Sequence, residues 1–283
     1  MIQKSYENSN EGKLFLIPTP IGNMEDITYR AISILKSVDY IYAEDTRVTL
    51  NLLKKFNIKK TVKSCHKYSE EKHKVEIINL LKSGFSIGYV SDRGTPLISD
   101  PGEVIVKYAI SNNITVISIP GPSALLPAIN MSGLDNDKFL FYGFLNNKSS
   151  KRVSELKSIS SIPFTIIFYE APHRINETLK DMLNVLGNRN ICICREISKM
   201  YEEIFRGNIS QAIGYSESIK GEIVIVVEGY QGTDKNSIDY IDEVEKLVSS
   251  GIKISSAIKE VSELSNVPKN EIYREYMKYK NNN

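Results

Sequence analysis

Short apolar runs alternate with amphipathic segments along the first 120 residues of the chain. The runs, rich in β-branched residues, predict strands at residues 14–17, 40–43, 86–90 and 115–119. Apolar positions recur with helical spacing between the runs and predict helices at residues 27–37, 49–56, 75–82 and 103–111. This alternation is typical of an α/β domain with a largely parallel sheet. We therefore predict a flexible N-terminus at residues 1–12 and an N-terminal α/β lobe at residues 13–122.

A second α/β lobe is predicted at residues 123–232. Its pattern predicts strands at residues 139–144, 164–169, 191–195 and 223–228, and helices at residues 123–131, 174–186 and 209–218. Residues 146–161 are polar and rich in serine, and we predict a mobile loop there. Ligands of such folds bind outside the carboxyl ends of the strands, so we expect a binding cleft where the two lobes meet.

The last segment, residues 233–283, predicts three short helices joined by tight polar turns, as in a helix-turn-helix unit. Gly251 ends the first helix, Ser255 or Ser256 caps the second, and Pro268 opens the third. Residues 237–283 carry 7 basic and 8 acidic side chains, a charge of −1. Because that charge does not favour nucleic-acid binding, a packing or dimerisation module is at least as compatible with the pattern.

The composition excludes several classes of protein. The longest apolar runs are far shorter than the roughly 20 residues of a membrane-spanning helix, and the first ten residues are too polar for a signal peptide. The 283 residues contain three cysteines and three histidines, which fit neither a disulfide framework nor a structural zinc site. We therefore expect a cytoplasmic protein with buried cysteines, no metal and no membrane contact.

The net charge of +2, from 36 basic and 34 acidic side chains, argues at first against a nucleic-acid partner. The charges are unevenly distributed, however, because residues 54–74 contain eight lysines and two glutamates, a local charge of +6. The rest of the chain therefore carries −4. A solvated lysine face is the usual explanation of such a run, and a footprint for an RNA phosphate backbone is the alternative.

Loops rich in glycine and proline follow three of the predicted strands, at residues 18–23, at residues 90–102 and within residues 117–129. Because the carboxyl ends of parallel strands meet at one edge of a sheet, we expect these loops to form one rigid wall for a small polar ligand. Ordinary multi-turn connections are the alternative. The G-x-G-x-x-G and G-x-x-x-x-G-K-[ST] patterns are absent, which disfavours a dinucleotide-binding Rossmann domain and a P-loop enzyme.

Two further strand ends carry ionisable groups. The motif EDTR, from Glu44 to Arg47, follows the second strand, and YEAPHR, from Tyr169 to Arg174, follows a strand of the second lobe. Carboxylates and arginines at such an edge suit substrate handling. The alternatives are that Asp45 caps the next helix and that His173 is structural.

These motifs resemble the tetrapyrrole methylase superfamily and, within it, the branch that methylates the 2′-oxygen of ribose in 16S ribosomal RNA. The resemblance covers residues 13–230 in motif order, including PTPIGN, AEDTR, VSDRGTPLISDPG, IPGPSAL, FYEAPHR and KGEIVIVVEG. Arg93 stands where this branch more often has a small residue. The resemblance implies two α/β lobes of the tetrapyrrole-methylase type, with S-adenosylmethionine folded into the cleft between them, and a C-terminal helix-turn-helix-like module.

The resemblance also implies roles for individual residues. The implied cofactor contacts are Pro20, Ile21, Thr95, Ile98, Ser123, Ala124, Tyr169 and Glu222. A base for the ribose hydroxyl is expected among Glu44, Asp45, His66, Glu170 and His173, with Asp45 and Glu170 favoured because each lies at a strand end. The RNA contacts that we expect are Arg47, Lys59, Lys60, Lys63, His66 and Arg174.

The function that the resemblance implies is methylation of a cytidine in the decoding region of 16S ribosomal RNA within the small ribosomal subunit, by a homodimer. Two other functions stay open. The chain could methylate a tetrapyrrole, since an acidic porphyrin also suits basic surfaces, although the EDTR and SDRGTP motifs argue against it. It could also be a non-catalytic RNA-binding protein of ribosome assembly.

Overall fold

The computed structural model describes residues 2–5, 7, 10–66, 69–216, 219–232, 240–265 and 267–282. Parts of four predictions lie outside these residues: the N-terminus at residues 1, 6, 8 and 9, the lysine-rich segment at residues 67–68, the helix end at residues 217–218, and the C-terminal module at residues 233–239, 266 and 283. The described chain divides into two compact units. Residues 1–160 with 164–228 form the first unit, and residues 161–163 with 229–283 form the second.

The first sheet of the large unit is entirely parallel, as the sequence predicts. Its strand order is β3-β2-β4-β1-β5. The strands are β1 (Leu14–Ile17), β2 (Tyr40–Ala43), β3 (Thr61–Ser64), β4 (Ile87–Val90) and β5 (Val116–Ser118). The helices between them are α1 (Tyr29–Ser37), α2 (Thr46–Lys55), α3 (Glu70–Lys82) and α4 (Glu103–Ser111).

Both faces of this sheet are covered by helices, which explains why its central strands are apolar at every position. Residues of β1 alternate between two cores: Phe15 and Ile17 pack with α1 and α2, whereas Leu14 and Leu16 pack with α3 and α4. The edge strand β3 is polar, KS at its end, and lies in the lysine-rich segment. Sequence analysis did not predict β3, because an exposed edge strand has no apolar alternation to reveal it.

The second sheet of the large unit is mixed, with the order β6-β7-β10-β8-β9. Strands β6 and β7 are parallel, and the other neighbours are antiparallel. The strands are β6 (Phe139–Phe144), β7 (Thr165–Glu170), β8 (Asn190–Arg195), β9 (Glu203–Asn208) and β10 (Ile223–Val227). The helices are α5 (Leu125–Ser132), α6 (Ser149–Ile159), α7 (Ile175–Leu186) and α8 (Ile209–Tyr215). The edge strand β9 was not predicted either.

Helix α6 corrects the prediction of a mobile loop at residues 146–161. Three side chains spaced four and three residues apart, Arg152, Leu156 and Ile159, form its buried face. The guanidinium of Arg152 donates hydrogen bonds to Asp181 on α7 and to the carbonyl oxygens of Asn146 and Asn147. Because a charged residue, Arg152, occupies one position of this buried face, the apolar stripe of residues 149–159 is too short to indicate a helix from the sequence.

The C-terminal residues form the three predicted helices, α9 (Tyr240–Ser249), α10 (Ile254–Ser265) and α11 (Lys269–Asn282). They enclose a small core of their own around Val244, Val261 and Ile272. The prediction of a cap at Ser255 or Ser256 is wrong by two or three residues, because α10 begins at Ile254 and the carbonyl of Lys253 accepts its first hydrogen bonds. Among the described helices, none has the length and apolar character that crossing a membrane requires.

Candidate functional site

A cavity of about 340 Å³ lies where the loops of the two sheets face each other. On one side it is walled by the loops that follow β1, β4 and β5, and on the other by the ends of β6, β7 and β8 and the start of β10. Since β10 runs antiparallel to β7 and β8, its first residues lie at their carboxyl ends. The cleft predicted outside the carboxyl ends of the strands is therefore confirmed, and its volume suits a small ligand.

Hydrogen bonds tie the three glycine and proline loops of the first sheet into one wall. The backbones of Thr19 and Gly94 exchange two hydrogen bonds of 2.9 Å. The Thr19 hydroxyl donates to the carbonyl of Ser91 at 3.1 Å, and the Thr95 hydroxyl donates to the carbonyl of Pro122 at 3.0 Å. Gly94 has a φ of +76°, a conformation that favours glycine. The predicted rigid wall is thus present.

Most of the residues implied as cofactor contacts line this cavity. They are Ile21, Thr95, Ile98, Ser123, Ala124, Tyr169 and Glu222. Pro20 is buried beside Ile21 and is not among the lining residues. Tyr169 packs edge-on against Phe144, with their ring centroids 5.6 Å apart, and burial raises the pKa of its hydroxyl. The lining is therefore a largely apolar surface with a few polar groups, the usual composition of a ligand site.

Asp100 is a lining residue that sequence analysis did not single out. Burial, followed by the charges of Glu44 and Asp92, raises the pKa of the Asp100 carboxyl to about 7. The signal was available, because the loop after β4 contains a second aspartate before a proline. Three carboxylates brought together at the ends of β2 and β4 create a negative field at this side of the cavity.

The loop that carries Asp100 is anchored from behind by a buried carboxylate. Both oxygens of Glu70, on α3, accept backbone hydrogen bonds of 3.0 Å, from the N–H groups of Gly102 and Val104. Glu70 is 3% exposed. These bonds satisfy the free N–H groups at the start of α4, and they fix the position of the loop against the first sheet.

Two of the predicted catalytic carboxylates lie at the end of β2 and differ in their environment. Asp45 caps α2 by accepting from the N–H of Arg47 at 2.9 Å, and its contacts with the Arg47 side chain lower its pKa to about 2. Glu44 is half-buried, and burial together with Asp92 raises its pKa. Asp45 therefore fits the alternative of a helix cap, whereas Glu44 retains the properties of a proton acceptor.

Glu170, predicted as a catalytic residue, lines the cavity and forms an ion pair with Arg174, which was predicted as an RNA contact. One oxygen of Glu170 accepts from the Arg174 side chain and from the backbone of Ala171, and the other accepts from Thr178 at 2.7 Å. Arg174 is 9% exposed and also contacts Asn147. Since every oxygen of Glu170 already has a donor and Arg174 is buried, the pair positions the loop after β7.

An ion-pair cluster joins the two sides of the cavity mouth. Arg93, in the loop after β4, pairs with one carboxylate oxygen of Glu222. The other oxygen pairs with Lys199 at 2.8 Å, and Lys199 pairs with Glu196 at the same distance. The side chains of Arg93 and Glu222 are 53% and 56% exposed. Glu222 therefore lines the cavity where a cofactor is expected and also forms ion pairs with Arg93 and Lys199.

The predicted RNA contacts of the lysine-rich segment are not equivalent. Lys59 and His66 are exposed, whereas Lys60 donates to the carbonyl of Val38 at 2.6 Å. Lys63, on β3, pairs with Glu76 at 2.6 Å and lies over the ring of Tyr40.

The other described cations of this region differ in exposure: Lys72 is exposed, whereas Lys74 is half-buried and pairs with Glu71. Lys54 and Lys55, at the end of α2, are exposed, as is Arg47 at its start. Lys67 lies outside the described residues. The exposed positive face is therefore centred on α2 and Lys59.

Comparison with known proteins shows the same likeness over most of the chain. The family described as Tetrapyrrole (Corrin/Porphyrin) Methylases matches residues 13–213. A ribosomal RNA small subunit methyltransferase I from Bacillus subtilis (strain 168) is 44% identical over 277 residues, covering 95% of this chain and 95% of that protein. The protein of the same name from Thermotoga maritima is 45% identical over 221 residues, covering 77% of this chain and 99% of that protein.

Solved structures share the fold at low sequence identity. Diphthine synthase has a TM-score of 0.61 at 14% identity, covering 77% of this chain and 90% of that one. Uroporphyrin-III C-methyl transferase from Thermus thermophilus, complexed with S-adenyl homocysteine, has a TM-score of 0.56 at 18% identity, covering 77% of this chain and 97% of that one. These likenesses confirm the predicted fold with two α/β lobes.

Proposed function

This chain belongs to the tetrapyrrole (corrin/porphyrin) methylase family, and we propose that it transfers a methyl group from S-adenosylmethionine to ribosomal RNA of the small subunit. The observation that carries the proposal is the 44% identity to a ribosomal RNA small subunit methyltransferase I along almost the whole of both chains. The finer proposal is that the acceptor is the 2′-oxygen of a cytidine in the decoding region, and that the enzyme is a homodimer in the cytoplasm.

The cavity suits S-adenosylmethionine in size and charge. This cofactor is a sulfonium cation with an aromatic base, and when bound it supplies an electrophilic methyl group. The carboxylate of Asp100 provides a negative group for the cation, and the rings of Tyr169 and Phe144 provide an apolar surface for the base. Because the cavity lining is mostly apolar, a bound cation there would interact with Asp100 more strongly than in water.

The chain's main contribution to this reaction is alignment. The hydrogen-bonded wall of Thr19, Gly94 and Thr95 holds the lining residues in place, so the acceptor oxygen can be held in line with the methyl carbon. Such positioning is worth up to about 7–11 kcal/mol of the barrier. The largely apolar lining of the cavity also disfavours water around the methyl group.

Glu44 is the group that we propose as acceptor of the ribose hydroxyl proton. Its pKa is raised by burial and by Asp92, and a base whose pKa lies nearer to the working pH transfers protons more efficiently. Asp45, with a pKa of about 2, is a much weaker base. A positioned base contributes typically about 10²- to 10⁴-fold to the rate.

The positive face around α2 supports an RNA substrate. We expect the triple change of Lys54, Lys55 and Lys59 to glutamate to weaken methylation of RNA, because each lysine lost removes a contact with a phosphate. The slope of log KM against log salt should fall by about 2 to 3. The measurement is steady-state methylation of small subunits at several salt concentrations, with calorimetry of S-adenosylmethionine to show intact cofactor binding.

A matched control replaces Lys60 and Lys63 by glutamine, since these two lysines already contact Val38 and Glu76. Per unit of charge removed, we expect a smaller effect on the salt slope from this variant than from the triple variant. A larger effect would show that RNA contacts β3 and not α2.

The experiment that tests the proposed function is transfer of a labelled methyl group from S-adenosylmethionine. The acceptors are assembled small ribosomal subunits, naked 16S ribosomal RNA and a porphyrinogen, and we expect label in the RNA of the subunits, mapped to a ribose. Label in the porphyrinogen alone would show a tetrapyrrole methyltransferase. Cofactor binding without any label, or no binding at all, would instead indicate an RNA-binding assembly protein.

A further inference from the structure

The lining of the cavity includes one positively charged side chain that an incoming substrate could contact. Among the described residues that line it, Arg93 is the one with a positively charged side chain. That side chain is 53% exposed and lies at the mouth, not in the interior where a small cofactor would be enclosed. The guanidinium of Arg93 is therefore accessible to a substrate that covers the mouth of the cavity.

The chemistry of a ribose acceptor determines what must lie at the mouth. The 2′-oxygen and the 3′-phosphate are attached to neighbouring carbons of the same sugar. When the 2′-oxygen enters the cavity, that phosphate is therefore held close to the rim. An arginine guanidinium can bind a phosphate through two parallel hydrogen bonds, which fixes the orientation of the sugar as well as its distance.

The present partner of Arg93 can be exchanged at low cost. Glu222 pairs with Arg93 through one oxygen and with Lys199 through the other, at 2.8 Å. If Arg93 turns to another anion, Glu222 keeps the Lys199 ammonium as its counterion. Ion pairs between side chains as exposed as Arg93 and Glu222 are weak, and a phosphate offers the guanidinium an equivalent pair.

The second lobe holds Glu222 in place while Arg93 moves. The backbone N–H of Glu222 donates to a carboxylate oxygen of Glu196 at 2.8 Å, and the same oxygen accepts from Lys199. Glu222 is thus fixed by two contacts that do not involve Arg93. The guanidinium is the part of the pair free to reach a ligand.

We propose that Arg93 is the positioning residue that binds the phosphate next to the acceptor ribose, exchanging Glu222 for the RNA. This proposal rests on the proposed function, since it requires a ribose as the acceptor. It gives the Arg93–Glu222 pair a role in substrate placement: Glu222 holds the guanidinium at the rim until RNA arrives. Arg93 contacts the substrate without taking part in proton or methyl transfer.

The test compares Arg93→Ala, Arg93→Lys and the control Lys107→Ala in methylation of small subunits. Lys107 is an exposed cation on α4, paired with Glu103 and not among the cavity residues, so its loss changes the net charge by the same amount. For Arg93→Ala we expect KM for the subunit to rise about 10-fold, corresponding to the loss of one phosphate contact, and the salt slope to fall by about 1. Arg93→Lys should lie between Arg93→Ala and the wild type.

Calorimetry with S-adenosylmethionine separates the RNA from the cofactor as the ligand of Arg93. The proposal requires that Kd for the cofactor stays within about twofold of the wild type in Arg93→Ala, since 1.4 kcal/mol already corresponds to tenfold. A weaker Kd with unchanged KM for the subunit would overturn it, as would a KM and salt slope equal to those of Lys107→Ala. If the wild type itself transfers no methyl group to RNA, the proposed function fails, whatever Arg93 does.

Discussion

Replacing Asp100 by asparagine should weaken binding of S-adenosylmethionine by about 10- to 100-fold. The carboxylate lines the cavity in a largely apolar surrounding, and a hydrogen bond or ion contact to a charged group contributes about 1.5–3 kcal/mol. Asparagine has nearly the same shape but no charge, so the loss reports the electrostatic contribution. Calorimetry at pH 8, where the wild-type carboxylate is ionised, measures it.

The same variant should remove a pH dependence. Because the pKa of Asp100 is raised to about 7, the wild-type carboxyl is protonated below that pH and attracts a cation less. Affinity for S-adenosylmethionine should therefore rise as the pH increases through about 7 in the wild type, and stay nearly constant in Asp100→Asn. A bound cation favours the ionised form, so the midpoint should move to lower pH as cofactor is added.

Stability provides an independent check on this variant. An unfolded aspartate has a pKa of about 3.9, whereas folded Asp100 keeps its proton to about pH 7. The unfolded state therefore binds fewer protons between these values, and this group lowers the free energy of unfolding as the pH rises from about 4 to 7. Asp100→Asn should consequently be no less stable than the wild type at pH 8.

The control for both binding predictions is Asp137→Asn, at an exposed position before β6, which should change neither the affinity for S-adenosylmethionine nor its pH dependence. Equal losses of affinity in both variants would contradict the assignment of Asp100.

Replacing Asp181 by alanine should lower the free energy of unfolding by about 3–5 kcal/mol. Asp181 accepts a hydrogen bond of 2.7 Å from Nε of Arg152, and the same carboxylate oxygen forms an ion pair of 2.7 Å with Nη2 of Arg152, whose side chain is 1% exposed. Removing Asp181 leaves the buried guanidinium of Arg152 without its nearest counterion. An unpaired buried charge destabilises a protein more than replacement of the whole ion pair by apolar residues does. Urea unfolding followed by circular dichroism measures the change.

Glu177 offers a matched control for Asp181 on the same helix. Its carboxylate lies 3.9 Å from Arg152 and its side chain is 74% exposed, so Glu177→Ala should change stability by less than about 1 kcal/mol. The double variant Arg152→Met with Asp181→Leu should recover much of the stability lost in Asp181→Ala, because apolar residues then fill the space of the ion pair. If Asp181→Ala and Glu177→Ala were equally mild, the buried pair would not stabilise α6.

Much of the fold follows from local patterns. The apolar runs predict β1, β2, β4 and β10 almost to the residue because these strands are buried on both faces and admit few polar side chains. Two of the four edge strands, β3 (TVKS) and β9 (EIFRGN), escape prediction because they are rich in polar residues and have no buried position, whereas the edge strand β6 (FLFYGF) is apolar enough to be predicted. Helix α6 escapes it for a different reason: its buried face includes Arg152, whose charge is neutralised by Asp181, a residue 29 positions away.

In the candidate site, too, some features are predictable from the sequence and others are not. The loops after β1, β4 and β5 are recognisable in the sequence because they contain glycine and proline and follow predicted strands. Three residues of these loops that the family motifs imply as cofactor contacts, Ile21, Thr95 and Ser123, line one cavity. The roles of the ionisable groups are not recognisable in this way. Asp45 and Glu44 are neighbours in sequence, yet the pKa of one falls while that of the other rises, because Arg47 contacts the first and burial affects the second.

The sequence by itself determined the two-lobe architecture, the wall of loops and the family, because these depend on hydrophobic periodicity and on backbone conformations that glycine and proline restrict locally. Only the tertiary structure decided which charged groups are available to a ligand. It paired Glu170 with Arg174, placed Asp100 in the cavity and set Arg93 at its mouth opposite Glu222. The physical reason is that the charge state and availability of a side chain depend on desolvation and on partners brought close only by folding.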